Sequence, residues 1–371
     1  MYTPSSSTTA QENLPEAAQN QIAQNHTAQT VSRKKDHVEL CVGERVSFRE
    51  KTSGFERFDF VHNALPELDF SEISTETTFL GKSIFFPLQI SSMTGGYAEA
   101  ERINRELAEV CESLRLPMGV GSQRQALEKA EFHHTFQAAR KHAPSIALTA
   151  NIGAAELVKP SVRASIARLI DMIHADALTV HLNPLQELMQ PEGNPDFRGV
   201  LAGIEQIRAS LGVPIIAKEV GAGLSEGVAR RLLDVGVSVI DVAGAGGTSW
   251  AGVELLRAKE GDALAPYQRA FWDWGLPTSE CLRRIRPLKA EKNFTLVASG
   301  GISSGVEVAK SLALGADMAA SARPLLQILM EHGQNALETA LLGWQYQVRA
   351  VMFLTGAANL RALQSVELRE V

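Results

Sequence analysis

The chain has 371 residues, 45% of them apolar, with a formal net charge of −6 and a pI near 5.9. That length supports one large α/β barrel or two medium domains with ample core. The acidic balance excludes a general nucleic-acid or anionic-membrane binder, because no global positive field attracts polyanions, and any anionic ligand must be held by local groups.

Residues 1–32 contain no Lys or Arg and no apolar core, but carry Glu12 and Glu16, a pattern that fits neither a signal peptide nor a transit peptide. Rich in Gln, Ala, Ser and Thr, they are expected to form a disordered tail. Residues 33–371 are expected to form a single domain, with 33–84 as a preceding arm. That arm opens on "RKKDH" (33–37), which reads either as a solvated charge run or as a grip for an anion.

From about residue 85, short apolar runs alternate with stretches of helical period, the pattern of a parallel sheet with crossover helices. There are eight such runs: "PLQI" (87–90), "PMGVG" (117–121), "SIALTA" (145–150), "ADALTV" (175–180), "VPIIAKE" (213–219), "SVIDVA" (238–243), "FTLVAS" (294–299) and "ADMAAS" (316–321). Helix candidates such as 98–114, 196–211 and 305–315 lie between them. Eight strands, each followed by a helix, predict a TIM (β/α)8 barrel. An insertion over about 249–290, after strand six, is too long for one barrel helix and reads as a short helix, a loop and a second helix from about Ser279. Its aromatic cluster "YQRAFWDW" fits a lid or an oligomer contact. Residues 335–363 read as C-terminal helices closing the barrel. No apolar run reaches transmembrane length. Three widely separated cysteines (Cys41, Cys111, Cys281) fit neither a disulfide framework nor a metal site, so a reducing, cytoplasmic setting is expected.

In such a barrel the chemistry sits at the strands' C-terminal ends. "SGGISSG" after strand seven and "SARP" after strand eight occupy the usual phosphate position, where backbone N–H groups and a helix N-terminus meet an anion. For any one glycine-rich loop, plain turn chemistry is the alternative. "GAGGT" after strand six adds Thr248 and close backbone approach. Lys218 ends the very apolar "VPIIAK". Burying an ammonium is costly unless it is paired, so Lys218 either meets a carboxylate such as Glu219 or faces a flat, electron-rich cofactor. Asn151 and Ser122 suit a polar ring edge, and Ser92, Met93 and Thr94 offer hydroxyls, a thioether and backbone polar groups. Together these describe a flavin mononucleotide (FMN) site, with the phosphate at strands seven and eight and the ring across the barrel mouth.

The motifs "RKKDH", "SSMTGG", "GVGSQR", "NIGA", "HLNPLQE", "KEVG", "DVAGAGGTSW" and "SGGISSG", in this order over about residues 33–360, resemble those of the flavin-dependent type II isopentenyl-diphosphate delta-isomerases. The resemblance implies a TIM barrel that uses FMN to interconvert isopentenyl diphosphate and dimethylallyl diphosphate in isoprenoid biosynthesis, with no net redox change. It implies FMN contacts at Ser92, Met93, Thr94, Ser122, Asn151, Lys218, Thr248, Gly301, Ile302, Ser303, Ala322 and Arg323. Substrate contacts are implied at Arg33, Lys34, His37, Ser122, Gln123, Arg124, His181, Asn183 and Gln186, and Mg²⁺ at Glu187. Arg323 departs from the small residue expected after the alanine, which leaves it either as a further phosphate contact or as a change in the loop.

A diphosphate carries several negative charges, which Arg33, Lys34, Arg124 and one Mg²⁺ would balance, the arginines bidentately. A single carboxylate suffices for Mg²⁺ that also takes substrate oxygens and water. His181, Asn183 and Gln186 are the catalytic candidates. A lone histidine at a strand end is more often a hydrogen-bonding or phosphate-binding residue than a proton carrier, and Gln186 has no titratable proton. That leaves reduced FMN, kept reduced by NADPH, as the acid and base, with Gln186 aligning the alkene or a proton relay. The expected partner is a small-molecule diphosphate, without nucleic acid or membrane, and the expected assembly is a homo-oligomer, a tetramer or octamer. Rival readings are an FMN oxidoreductase of hydroxy acids and a catalytically silent flavin-binding barrel. A nucleotide dehydrogenase of the inosine-monophosphate type needs a nucleophilic cysteine after strand six, and "GAGGTSW" has none.

Overall fold

A computed structural model describes residues 33–43, 46–258 and 264–371. The expected tail at 1–32 lies outside the described residues. Eight parallel strands close into the expected barrel: β1 (Leu88–Ile90), β2 (Met118–Gly119), β3 (Leu148–Gly153), β4 (Ala177–Leu182), β5 (Ile215–Glu219), β6 (Val239–Asp241), β7 (Thr295–Ser299) and β8 (Met318–Ser321). Each of the eight apolar runs contributes one. The arm begins with a helix, α1 (33–42). The longer helices that follow are α2 (Ala100–Ser113), α3 (His133–His142), α4 (Ile166–Ile173), α5 (Pro184–Met189), α6 (Val200–Ser210), α7 (Glu226–Asp234), α8 (Trp250–Arg257), α9 (Thr278–Ile285), α10 (Gly305–Ala313), α11 (Arg323–His332) and α12 (Gln334–Thr355).

Side chains alternate along a strand, so six of the eight apolar runs, those of β3 to β8, serve two cores at once. Leu148, Ala150 and Ile152 of β3, Leu178 and Val180 of β4 and Ala217 of β5 join the large core between sheet and helices. Ala147, Ala177, Ile216, Val239, Val297, Met318 and Ala320 form a separate core inside the barrel. A hairpin of Thr77–Phe79 and Lys82–Ile84 contributes Phe79 and Ile84 to that inner core and plugs the barrel's N-terminal end.

Two to four residues further along the strands, the inward column turns polar. Register places Gly153 beside His181, His181 beside Lys218, and Lys218 beside Asp241. The barrel is therefore dry at one end and polar at the other.

The arm is stitched to the mouth. The Phe48 N–H donates to the Gly247 carbonyl at 3.2 Å, and the Ser249 N–H donates to the Val46 carbonyl at 2.7 Å. Phe58–Phe60 pairs antiparallel with Leu368–Glu370, binding the arm to the chain's last strand. In the insertion the second helix begins at Thr278, one residue before the expected position. The aromatic cluster divides. Trp272 is buried, donates Nε1–H to the Ser47 carbonyl at 2.9 Å and stacks under the Arg49 guanidinium at 3.8 Å, so it anchors the arm. Tyr267 and Trp274 remain exposed.

The three cysteines are free and buried, and burial pushes the Cys41 and Cys281 thiols up to about 12. At that level they carry no thiolate and are inert. Among the described residues no helix is long and apolar enough to cross a membrane.

The plug predicts a stability effect. Phe79→Ala is expected to cost about 3–5 kcal/mol, the usual range for truncating a buried phenylalanine, read as a lower denaturant midpoint. An unchanged midpoint would show that the hairpin does not close the core.

Candidate active site

Two cavities open at the polar end and share His37, Ser92, Met93, Lys218, Val220 and Trp250 as common wall. The first is bounded by the loops after β6, β7 and β8, including Thr248, Gly301, Ile302, Ser303, Ala322 and Arg323. Here main chain packs on main chain: a Cβ added to Gly247 would lie 2.5 Å from the Gly301 nitrogen. Gly301 itself has φ +73°, which favours glycine. The helix α11 starts in this wall at Ala322, which provides no side-chain cap, so the positive end of the helix dipole faces this cavity. At α10, by contrast, the Ser304 hydroxyl caps the helix, and Glu307 accepts the Ser303 N–H at 2.7 Å and its hydroxyl at 3.0 Å. Ser303 thus lines the cavity with its own donors already committed to the protein. Arg323 also lines it and donates Nη2–H to the Ser47 hydroxyl at 2.6 Å, which joins the loop after β8 to the arm.

Lys218 faces both cavities. The pairing with Glu219 weighed from the sequence is not what the structure contains. The Glu219 carboxylate instead accepts the backbone N–H groups of Val220, Gly221, Ala222 and Gly223 at 2.6, 2.6, 2.5 and 3.2 Å. The Lys218 ammonium donates to the Glu219 carbonyl at 2.8 Å, with the buried Asp241 next to it in register. Asp241 accepts the Ser299 hydroxyl at 2.5 Å.

The second cavity carries "HLNPLQE". Pro184 starts α5, where its missing N–H costs nothing. Helical spacing then brings Asn183, Gln186 and Glu187 to one face. The Asn183 amide donates to Gln186 Oε1 at 3.1 Å and to Glu187 Oε1 at 3.0 Å, while Asn183 Oδ1 is buried and accepts no hydrogen bond. Glu187 Oε2 accepts the Asn194 N–H at 2.6 Å. Gln186 Nε2 donates to Glu254 Oε1 at 2.9 Å.

His181 Nδ1 lies 2.8 Å from Asn151 Oδ1, a geometry that puts the ring proton on Nδ1 and leaves Nε2 as the acceptor. Burial, with Lys218 and Arg124 adding to it, pushes the His181 pKa down to about 3, so the ring is neutral at neutral pH.

The arm closes this cavity. Lys34 donates to the carbonyls of Gly95 at 2.6 Å and Ser122 at 2.8 Å, and Arg33 lies 3.8 Å from Glu192. Across the cavity Arg124 pairs with Glu156 at 3.3 Å. Gln123 is the exception among the expected substrate contacts. It is fully buried away from the cavity, donates to the Leu169 carbonyl at 3.2 Å and accepts the Asn151 N–H at 2.9 Å. Its amide braces the loop that presents Ser122 and Arg124.

Sequence reasoning missed Glu254. Its buried carboxylate accepts from His37 Nε2 at 3.0 Å, from Gln186 and from Arg257 at 2.5 Å. Burial alone would raise its pKa, but these donors and the Arg257 charge win and bring it down to about 2. Burial keeps His37 neutral against the pull of Glu254. The available signal was a carboxylate on the apolar stripe of "WAGVELLR", where a charge persists only if it is paired.

The profile of the FMN-dependent dehydrogenase family matches residues 27–150 and 158–370. Isopentenyl-diphosphate delta-isomerase of Chlorobium luteolum is 49% identical over 348 residues, 91% of this chain and 96% of that protein. The Nostoc sp. enzyme of the same name is 48% identical over 338 residues, 91% and 95% of the two chains. Among solved structures, a lactate oxidase of Pediococcus acidilactici superposes with a TM-score of 0.66 at 13% identity, over 93% of this chain and 94% of that one. A mandelate oxidase bearing a monooxide FMN adduct gives 0.62 at 18% identity, over 89% and 93%. At those identities the two oxidases share the fold alone.

The neutral histidines make stability depend on pH in a definite direction. Above the ordinary value of 6.5, folded and unfolded chains bind equally few protons at His37 and His181. Below it, the unfolded chain takes up protons that the folded one refuses, so stability falls as pH drops from 6.5 toward about 3. Denaturant midpoints between pH 7.5 and 5 measure this, and His181→Asn is expected to flatten part of the decline. An identical decline in that variant would place the cause elsewhere.

Proposed function

The chain belongs to the FMN-dependent isopentenyl-diphosphate delta-isomerases, and from that premise we propose that its joined cavities hold FMN and a Mg²⁺-bound diphosphate side by side. The observation that carries this reading is their shared wall. A site with phosphate-type loops on one side and convergent cations on the other meets at Lys218, within the same cavity as Gln186.

The residues present fit FMN. The glycines at 246, 247 and 301 let the arm and the loops after β6 and β7 pack main chain on main chain in the cavity wall, and the uncapped start of α11 suits a phosphate. Thr248, Gly301, Ile302, Ala322 and Arg323 would hold that end, with Ser92, Met93, Thr94, Ser122, Asn151 and Lys218 along the ring. Reduced FMN, when bound, supplies the proton-donating and proton-accepting chemistry that an alkene shift needs, and NADPH is proposed to keep it reduced.

The remaining work falls to the chain's own residues. Arg33, Lys34 and Arg124 balance the diphosphate, and the arm's contacts exclude water from it. His181 Nε2 faces the diphosphate, whose charge opposes the Lys218 and Arg124 cations that add to burial in lowering the His181 pKa. Among the described residues no three His, Cys, Asp or Glu side chains gather for a metal. Glu187 and the unpartnered Asn183 Oδ1 are nevertheless hard oxygen donors of the kind Mg²⁺ takes alongside substrate oxygens and water. Gln186 is clamped at both ends, its carbonyl by Asn183 and its NH₂ by the ionised Glu254, so it presents a fixed edge to the reacting carbons. An amide cannot titrate, so its role is alignment. The same proposal includes residues 33–371 as one domain with 33–84 as its substrate-binding arm, a cytoplasmic setting and a homo-oligomer, a tetramer or octamer. Exposed Tyr267 and Trp274 support the last of these.

Anaerobic turnover of isopentenyl diphosphate, omitting FMN, NADPH or Mg²⁺ in turn, tests the reading. Dimethylallyl diphosphate should form only with reduced flavin and metal, and without stoichiometric NADPH use. Flavin binding with NADPH consumption and no isomer would favour an oxidoreductase. Glu187→Gln should weaken Mg²⁺ activation while FMN stays bound, and loss of flavin in that variant would refute the metal assignment.

Gln186→Ala should lower the rate by about 10²- to 10⁴-fold, the range for a group acting on a proton-transfer step. A rate equal to that of the unaltered enzyme would remove Gln186 from the mechanism.

A further inference from the structure

Arg257 lines neither cavity, yet it meets carboxylates from three parts of the chain. Nη1 lies 2.5 Å from Glu254 Oε2 on its own helix, Nη2 3.2 Å from Glu192 Oε1 in the loop after α5, and Nε 3.5 Å from Asp36 Oδ2 on the arm. Glu192 in turn faces Arg33 at 3.8 Å, and Glu254 holds both His37 and Gln186. The arm residues Arg33, Asp36 and His37 are thus each in contact with Arg257 or separated from it by one carboxylate. Only a planar guanidinium has enough fixed donors to serve three acids in three directions.

We propose that Arg257 is a positioning residue that holds the arm over the substrate cavity and fixes the Gln186 amide, so that one guanidinium sets both the grip on the diphosphate and the alignment of the alkene. This rests on the isomerase reading above.

The electrostatics give the proposal a signature beyond simple stability. The groups facing Glu254 are Arg33, His37 and Cys41 from α1, Gln186 from α5 and Arg257 from α8. Burial keeps His37 and Cys41 uncharged. The Glu254 carboxylate is held ionised by the hydrogen bonds of His37 and Gln186 together with the charge of Arg257, which also donates to it at 2.5 Å. With Arg257 removed, a buried carboxylate short of counter-charge takes up a proton more readily. Gln186 then loses its charged acceptor as the pH falls.

The experiment compares Arg257→Met and Arg257→Lys with the unaltered full-length, FMN-loaded enzyme. For Arg257→Met, KM for isopentenyl diphosphate should rise about tenfold to a hundredfold, the worth of a hydrogen bond to a charged group. The acid limb of its kcat profile should move toward neutral pH, while FMN affinity stays unchanged because Arg257 touches none of the phosphate loops. Arg257→Lys keeps the charge and loses the fork, so it should leave the acid limb in place and raise KM less. Unchanged KM and acid limb in Arg257→Met overturn the proposal. Should that variant fail to fold, a shifted acid limb in Arg257→Lys overturns it. Trypsin cleavage after residues 33–35 is read in parallel and needs no turnover. Faster cleavage in the Met variant supports the clamp, and equal rates overturn it. If the unaltered enzyme makes no isomer, the isomerase reading fails, and the cleavage rates alone decide whether Arg257 holds the arm.

Discussion

The closed register of the parallel barrel is the constraint on which the rest of the molecule depends. Once β4, β5 and β6 pair as they do, His181, Lys218 and Asp241 must share one level of the interior, and the residues two positions earlier must share the level below. A slip of one residue would turn the polar level outward into the helix layer and bring alanines and valines to the mouth. The same pairing that buries Thr179, Ile216 and Val239 therefore brings the imidazole and the ammonium to the cavities, with the Asp241 carboxylate buried beside Lys218. Plugging the opposite end with Phe79 and Ile84 keeps water from that inner core, so only one end of the barrel is open to chemistry.

Above the barrel, stability and chemistry rest on charge compensation rather than on apolar burial. The mouth gathers Arg33, Lys34, Arg124 and Lys218 in a chain whose overall charge is negative. The protein meets that local excess with Glu156, paired with Arg124, with Glu192, which faces Arg33 and Arg257, and with Glu254, paired with Arg257. Neutral histidines complete the balance, since burial among cations keeps His181 unprotonated. The arm is held by these pairs and by backbone bonds to residues 247–249, so the cover of one cavity and the glycine loops of the other share one structural element.

Much of the site was legible because its chemistry is carried by residues at strand ends, where sequence position nearly dictates spatial position. Ser92, Asn151, His181, Lys218, Gly301 and Ala322 reach the cavities for that reason. Gln123 did not, because a glutamine beside Ser122 and Arg124 can turn either into the cavity or into the protein, and the unsatisfied Asn151 N–H and Leu169 carbonyl drew it inward. Arg323, odd in its own loop, is explained by Ser47, 276 residues away in sequence. Glu254 lies in an insertion dominated by aromatic residues, of which Trp272 anchors the arm, and its partners come from other elements.

The sequence by itself determined the strand count, the helical layer, the glycine loops and the run of polar groups after β4, because periodicity and backbone permissiveness are local properties. Only the tertiary structure decided which carboxylate meets which cation. Glu219 could have paired with Lys218 but satisfies four backbone amides, while Glu254, unremarked in its helix, gathers His37, Gln186 and Arg257 from three elements. The physical reason is range: hydrophobic alternation is written within a few residues, whereas a buried charge takes its partner from whatever the folded chain brings within hydrogen-bonding distance.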